Sequence, residues 1–499
     1  MADPKLTELP DELFTIIQQA TTRLGPRLGR LSIPGRHAVE TPHYLAITSR
    51  GAVPHITQDT FSRSTGITSA YVGLEDFVEK YPFDIPPLFK YPKPEDGASS
   101  LRRFIALPHQ TLLVLGARRT PPVAAPAANP NTNTKVCVMT AVGFRSLEVG
   151  DYAEAAEELK PDILVAVGDM PYGRTLGRKR IEKATDRQIQ WLHDHAKLRT
   201  ANRAGDAVEP QAKLFVPLLP VSCSHQQYFI DCLAEDDVKA EVSGLAIYDL
   251  DTLVDLPQEL AHLPRLAFTT PDTPHDILRQ VALGVDMLAL PSITNATDAG
   301  IAFDFSLAGS NPSNFKQPLP LGINLWSSSH ATELSPLSEG CSCYACTNHH
   351  RAYLHHLLNA KEMLAWVLLQ IHNHRTIDVF FDEIRNSIRL GSFEQDTQRF
   401  AGRYERVFPE STGKGPRVRG YQLKSEGPGE AKKNKAPFKV LANGRSKEAS
   451  VLDTTKKHGA SSDARMLNEG KEVIADSTLT SRDIDAEGLE RLGFAERED

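Results

Sequence analysis

The sequence predicts an α/β fold, a (β/α)8 barrel of the TIM type, followed by a disordered C-terminal tail. Two observations predict the barrel. Short β-forming runs alternate with longer stretches of helical character, and several of the runs are apolar on both faces, as parallel strands covered by helices should be. A third observation predicts the tail, because composition changes sharply near residue 410.

In chain order, the candidate strands are YLAIT at 44–48, TLLVLG at 111–116, KVCVMTAV at 135–142 and DILVAVG at 162–168. KLFVPLLPV at 213–221, VSGLAIY at 242–248, RLAFTT at 265–270 and DMLALP at 286–291 follow. Between them, DYAEAAEELK at 151–160 is rich in helix formers, and TPHDILRQVALG at 273–284 ends on a glycine suited to a helix C-terminus. About eight strands in roughly 300 residues favour a closed barrel, although counting leaves a doubly wound sheet open. The low-complexity stretch PPVAAPAANPNTNT ending at 134 is expected as a surface loop between two strands.

The chain has 499 residues with 56 basic and 63 acidic side chains, a net charge of −7. That balance excludes a protein coated in basic surface for nucleic acid, so any such contact must be local or supplied by a partner. The first residues, MADPKLTELPDELF, lack the basic start and apolar run of a signal peptide. The apolar run MLAWVLLQI at 363–371 falls short of the roughly 20 residues needed to span a bilayer. A soluble intracellular protein is expected, with any membrane contact peripheral. In the tail, 411–499, the aromatics are only Tyr421, Phe438 and Phe494, too little apolar area to offset the entropy of ordering. Its two halves differ in sign, +8 between Lys414 and Lys457 (12 basic, 4 acidic) and −6 beyond (5 basic, 11 acidic).

The chain has six cysteines, and three of them, Cys341, Cys343 and Cys346, form C-x-C-x-x-C. Six are too few for a disulfide framework in a chain of this length. Three thiolates on so tight a hook suit one soft, tetrahedral ion such as Zn2+, which asks for a fourth N or S ligand in a structural site. The neighbouring candidates are His349, His350, His355, His356, His372 and His374. A helix is expected from about 351 to 371, where no glycine or proline interrupts good formers. The alternative is three ordinary cysteines in a loop.

Around this hook the sequence resembles the queuine/guanine tRNA-ribosyltransferase family. The resemblance rests on Cys341, Cys343 and Cys346, then RAYLHHL at 351–357, Glu362 and Leu364, and His372–Asn373. Upstream, in order, stand Thr41–Pro42, Asp162–Ile163, Gly244–Leu245–Ala246, Pro264–Arg265–Leu266 and Gly284–Val285–Asp286–Met287, so that it covers roughly 30–405. The family spacing selects His372 as the fourth ligand. The resemblance thus implies one structural Zn2+ on Cys341, Cys343, Cys346 and His372, in a subdomain of about 318–375 inserted near the C-terminal end of a barrel domain of 1–410.

Family enzymes exchange guanine at the tRNA wobble position for queuine or a precursor, through attack of an aspartate on the ribose. The motif G-V-D-M-F-D carries that nucleophile on its last residue. This chain reads Gly284-Val285-Asp286-Met287-Leu288-Ala289, with alanine at the nucleophile's place. Asp286 is a poor substitute, since strand residues three apart point to opposite faces. The family's D-S-G-G-F-Q is replaced by TLLVLGARR at 111–119, and the first glycine of its base-binding G-G-L-A-V-G by Ser243. Its P-T-R-x-x-R-x-G reads Ile293 to Gly300, with Asn295 and Asp298 where the tRNA-contacting arginines stand, a change that weakens phosphate binding. Asp169 matches the aspartate of the substrate-recognising F-D-E; its alternative role is as a capping or solvated polar residue at a strand end.

A scaffold that keeps its metal hook and loses its chemistry resembles a noncatalytic partner. Eukaryotic members of the family work as heterodimers of a catalytic and a noncatalytic subunit. The runs RLGRL at 27–31, TPHYLAITSRGAVPH at 41–55 and KRIEKATDR at 179–187 are shared with the noncatalytic branch. The implied partners are the catalytic subunit and, through the complex, tRNA. The implied location is the cytoplasm, and a peripheral association with the mitochondrial outer surface stays open. Two competitors remain at this level: an autonomous base-exchange enzyme with a displaced carboxylate, and a zinc-stabilised adaptor unrelated to tRNA.

Overall fold

A computed structural model describes residues 12–94, 98–126, 129–170, 172, 176–203, 211–308 and 317–416. Eight parallel strands close into a barrel: His43–Ile47, Ser69–Gly73, Leu112–Gly116, Ile163–Val165, Lys213–Pro217, Val242–Ile247, Arg265–Ala267 and Met287–Ala289. The last pairs with the first, Met287 opposite His43 and Ala289 opposite Leu45, which closes the ring and rules out a doubly wound sheet. Along each strand the side chains alternate between two apolar environments. Leu45, Tyr71, Val114, Val165, Phe215, Phe268, Met287 and Ala289 fill the interior. Tyr44, Ala46, Val72, Leu115, Leu164, Val216, Leu245 and Leu288 pack outward under the helices. Both faces are therefore apolar because both are buried.

The expected set of strands needs one exchange. The run at 135–142 is a strand, Lys135–Thr140, but it pairs antiparallel with Gly143–Glu148 in a hairpin outside the barrel. Its place in the barrel belongs to Ser69–Gly73, a five-residue strand whose own residues, Ser-Ala-Tyr-Val-Gly, include few strong β formers. The expected helices are present at Val149–Leu159 and Pro274–Ala282. The second starts on a reciprocal Thr273–Asp276 capping box and is followed by Gly284 at φ +86°.

A three-stranded antiparallel sheet, Phe14–Gln18, Leu28–Leu31 and Val39–Thr41, closes the N-terminal end of the barrel. Its Phe14, Leu31 and Val39 side chains join the interior cluster. Gly29 has no side chain because the Phe14 ring lies where a Cβ would stand, at 2.4 Å.

The expected helix at 351–371 is two helices. Arg351–Asn359 ends before Lys361, which takes φ +58°, and Met363–Leu390 then runs for 28 residues. A left-handed lysine carries no signal in composition, which is why the break was not expected. No helix among the described residues is long and apolar enough to cross a membrane. Of the tail at 411–499, residues 417–499 lie outside the described residues. Ser411 still lies against the fold, its Oγ donating to the Ala299 carbonyl at 2.7 Å.

Candidate metal centre and barrel mouth

The hook and the long helix meet. Cys343 caps the short helix Tyr344–Asn348, its sulfur accepting the Cys346 N–H, so the turn that aims the thiols is built by the thiols themselves. Opposite them, the helix Met363–Leu390 presents His372, fully buried. Its Nδ1 stands 3.8, 3.6 and 3.3 Å from the sulfurs of Cys341, Cys343 and Cys346. Ligand atoms around one tetrahedral zinc, with bonds of about 2.3 Å to S and 2.1 Å to N, stand roughly 3.6 Å apart, so the four atoms fit a single ion. His372 Nε2 lies 2.8 Å from the Phe303 carbonyl, which can only accept. Nε2 therefore carries a proton, and Nδ1 is the nitrogen turned to the sulfurs, the orientation a metal-binding imidazole needs. Burial, the largest influence, lowers the His372 pKa, and the sulfurs of Cys341 and Cys346 raise it by more, so the three sulfurs favour positive charge at Nδ1, whether a proton or a metal ion supplies it. These four residues could hold a metal ion. The other five candidate histidines are not part of that group. His350 caps Arg351–Asn359, accepting the Tyr353 N–H, His355 bonds the Leu325 carbonyl and His374 bonds Tyr44.

Several of the matched motifs fall at the N-terminal end of the barrel, where they hold the scaffold. Arg27, from RLGRL, reaches the Asp286 carboxylate through Nε at 2.9 Å and Nη2 at 2.5 Å, and the Arg265 backbone N–H reaches it at 2.7 Å. Asp286 is thus a buried structural anion pointing away from the mouth. Asp162 takes Arg36 at 2.7 Å, Arg102 at 2.6 Å and the Leu113 N–H at 2.7 Å. In a (β/α)8 barrel this end is the one that carries stability, and chemistry lies at the other.

At the C-terminal mouth, aromatic rings occupy the space. Tyr71 and Phe268 meet edge to face at 5.0 Å, Tyr248 stacks on Phe268 at 5.3 Å, and Tyr172 lies 6.5 Å from Tyr248. The Arg118 guanidinium covers Tyr172 at 5.1 Å. Among the described residues the space left between them is about 20 Å³, enough for about one water. Ala289 lies fully buried in the apolar interior beneath. Asp169 is fully buried, bonded by Arg180 at 2.5 and 2.6 Å, Arg187 at 2.9 Å and Asn131 at 2.7 Å. Burial would raise its pKa, yet Arg180, Asn131 and Arg187 outweigh burial and hold the carboxyl below its ordinary value. Asp169 is an ion-paired strut, neither solvated nor presented to a ligand. The KRIEKATDR run supplies its arginines, a link the sequence held at both ends without joining them. Arg119, from TLLVLGARR, pairs with Glu75 at 2.8 Å and Asp76 at 3.1 Å. Asp298 takes His55 at 2.6 Å, and Ser243 stands half-buried on the sixth barrel strand. The plug residues Tyr71, Tyr172, Tyr248 and Phe268 were not expected, because they come from four separate elements.

The model of the family described as queuine tRNA-ribosyltransferase matches residues 22–406. A relative from Schizosaccharomyces pombe named queuine tRNA-ribosyltransferase accessory subunit 2 is 32% identical over 407 residues, 82% of this chain and 88% of its own. Proteins of the same name from Danio rerio and Homo sapiens are 27% and 25% identical, over 77% and 74% of this chain and 97% and 95% of theirs.

Proposed function

The chain belongs to the queuine tRNA-ribosyltransferase family, and from that premise we propose that it is the noncatalytic subunit of a queuine tRNA-ribosyltransferase. It supports exchange of guanine for queuine at the tRNA wobble position by pairing with a catalytic chain. One observation carries this reading: among the described residues, Tyr71, Tyr248 and Phe268 leave room for about one water at the mouth, where a barrel enzyme does its chemistry, and Ala289 lies in the apolar interior. Resemblance gives Ala289 the nucleophile's position, and the nearest acid in sequence, Asp286, is engaged at the opposite end.

The Cys341, Cys343, Cys346 and His372 set supports one Zn2+ per chain in a structural role, since four protein ligands leave no position for a reacting water. Bound there, the ion supplies folding energy. In our reading the chain divides into a barrel domain of 1–410, with the zinc-bearing piece at about 318–375, and a tail of 411–499, and the resemblance to the family puts that piece at the face that meets the catalytic chain, an interface that must bury roughly 1,000 Å² or more to be stable. The six cysteines, none of them in a disulfide, suit a reducing, cytoplasmic setting.

The test is guanine exchange on a wobble-guanine tRNA with this chain alone, a catalytic subunit alone, and the two mixed. Activity in the mixture only, with one-to-one co-elution, is expected; exchange by this chain alone would overturn the reading. Ala289→Asp is expected to restore no exchange, because the rings above it leave no room for a base. It should also cost about 3–5 kcal/mol for an uncompensated buried charge, read by urea unfolding. Exchange by the variant alone would show that the mouth opens.

A further inference from the structure

On the outer helical layer, away from the Cys3His cluster, three donors of different kinds converge. His193 comes from the helix Arg178–Arg203, Cys232 ends the helix Gln227–Cys232, and Glu235 precedes the helix Asp236–Lys239. The turn between the two short helices puts Cys232 and Glu235 three residues apart, facing His193. The Cys232 sulfur lies 3.5 Å from His193 Nε2, and Glu235 Oε2 lies 3.5 Å from the same nitrogen. The three donor atoms all lie within 4.8 Å of one another. We propose that His193, Cys232 and Glu235 form a second metal site, one that takes a borderline divalent ion such as Zn2+.

The two separations from His193 Nε2 are those of adjacent ligands on one ion, roughly 3.3–3.7 Å for tetrahedral S, N and O donors. A thiolate, an imidazole and a carboxylate together suit zinc or cobalt better than the hard ions, which take oxygen alone. A simple His–Glu ion pair would not bring in a buried sulfur. The other imidazole nitrogen, Nδ1, faces Asp237 Oδ2 at 3.6 Å. At that distance it makes no hydrogen bond, and the carboxylate adds only to the negative potential around the site. Three protein ligands leave the fourth position to water or to a donor from another molecule.

The measurement is metal uptake by the full chain, first with Zn2+ by elemental analysis after dialysis, then with Co2+ by thiolate-to-cobalt charge-transfer absorption. Wild type is expected to take two equivalents, the weaker one showing a single thiolate. His193→Asn and Glu235→Gln should lose the weaker equivalent and keep the tighter, whose retention shows an intact fold. Wild type saturating at one equivalent, or a second equivalent bound as tightly by the His193→Asn chain as by wild type, would overturn the proposal.

Discussion

Cys343→Ser is expected to cut the metal content by one equivalent per chain and to lower the unfolding free energy by several kcal/mol, roughly. Cys343 does two things that serine cannot do equally: it offers a soft donor 3.6 Å from His372 Nδ1, and it caps the helix that carries Cys346. Binding free energy at such a site is folding free energy, because the unfolded chain does not hold four ligands together. Around the cluster, Leu325, Leu337, Leu354, Trp366 and Leu369 form a separate apolar core whose packing depends on the loop staying closed. Chelation of the wild type should reproduce the loss. Unchanged metal content and melting in the variant would remove the cluster's assignment as the structural metal site.

Arg27→Ala should cost about 3–5 kcal/mol, the penalty for stranding a buried charge. Arg27 and Asp286 are 4% and 0% exposed, and the substitution takes two of the three bonds described for that carboxylate. The pair itself need not be favourable over apolar groups. Combining Arg27→Met with Asp286→Asn should therefore recover part of the loss, a coupling that urea unfolding of the single and double variants measures. A cost below about 1 kcal/mol for Arg27→Ala would mean that water reaches the carboxylate.

The metal cluster was legible in the sequence because its ligands sit on one short hook plus one histidine at a familiar spacing. The barrel was legible as a class, since residues apolar on both strand faces betray burial on both sides. Membership was less so. Lys135–Thr140 is apolar from Val136 to Met139 and is a strand, but nothing local says that its partner is Gly143–Glu148 rather than the barrel. Ser69–Gly73 is too short and too mixed to announce itself, and Tyr71 of the mouth was hidden with it. Pairs such as Arg27 with Asp286, 259 residues apart, and the arginine clamp on Asp169 are contacts of the tertiary fold, which periodicity does not encode. The tyrosines that close the mouth read locally as ordinary strand and turn aromatics.

The helix Met363–Leu390 has a mechanical consequence. At 28 residues it is about 42 Å long. It carries His372; further along, Asp378 accepts the Tyr44 hydroxyl at 2.9 Å, Arg385 grips the Pro42 carbonyl at 2.8 Å, and the Ile388 carbonyl takes Gln18 at 3.1 Å. It is a lever arm held at the Cys3His cluster about a third of the way along and at the base of the barrel at its far end. A side-to-side play of 1 Å at one end of such an arm tilts it by only about 1.4°. Whatever grips the cluster therefore aims the whole barrel, and angular tolerance is set by one rigid shaft rather than by many soft loops.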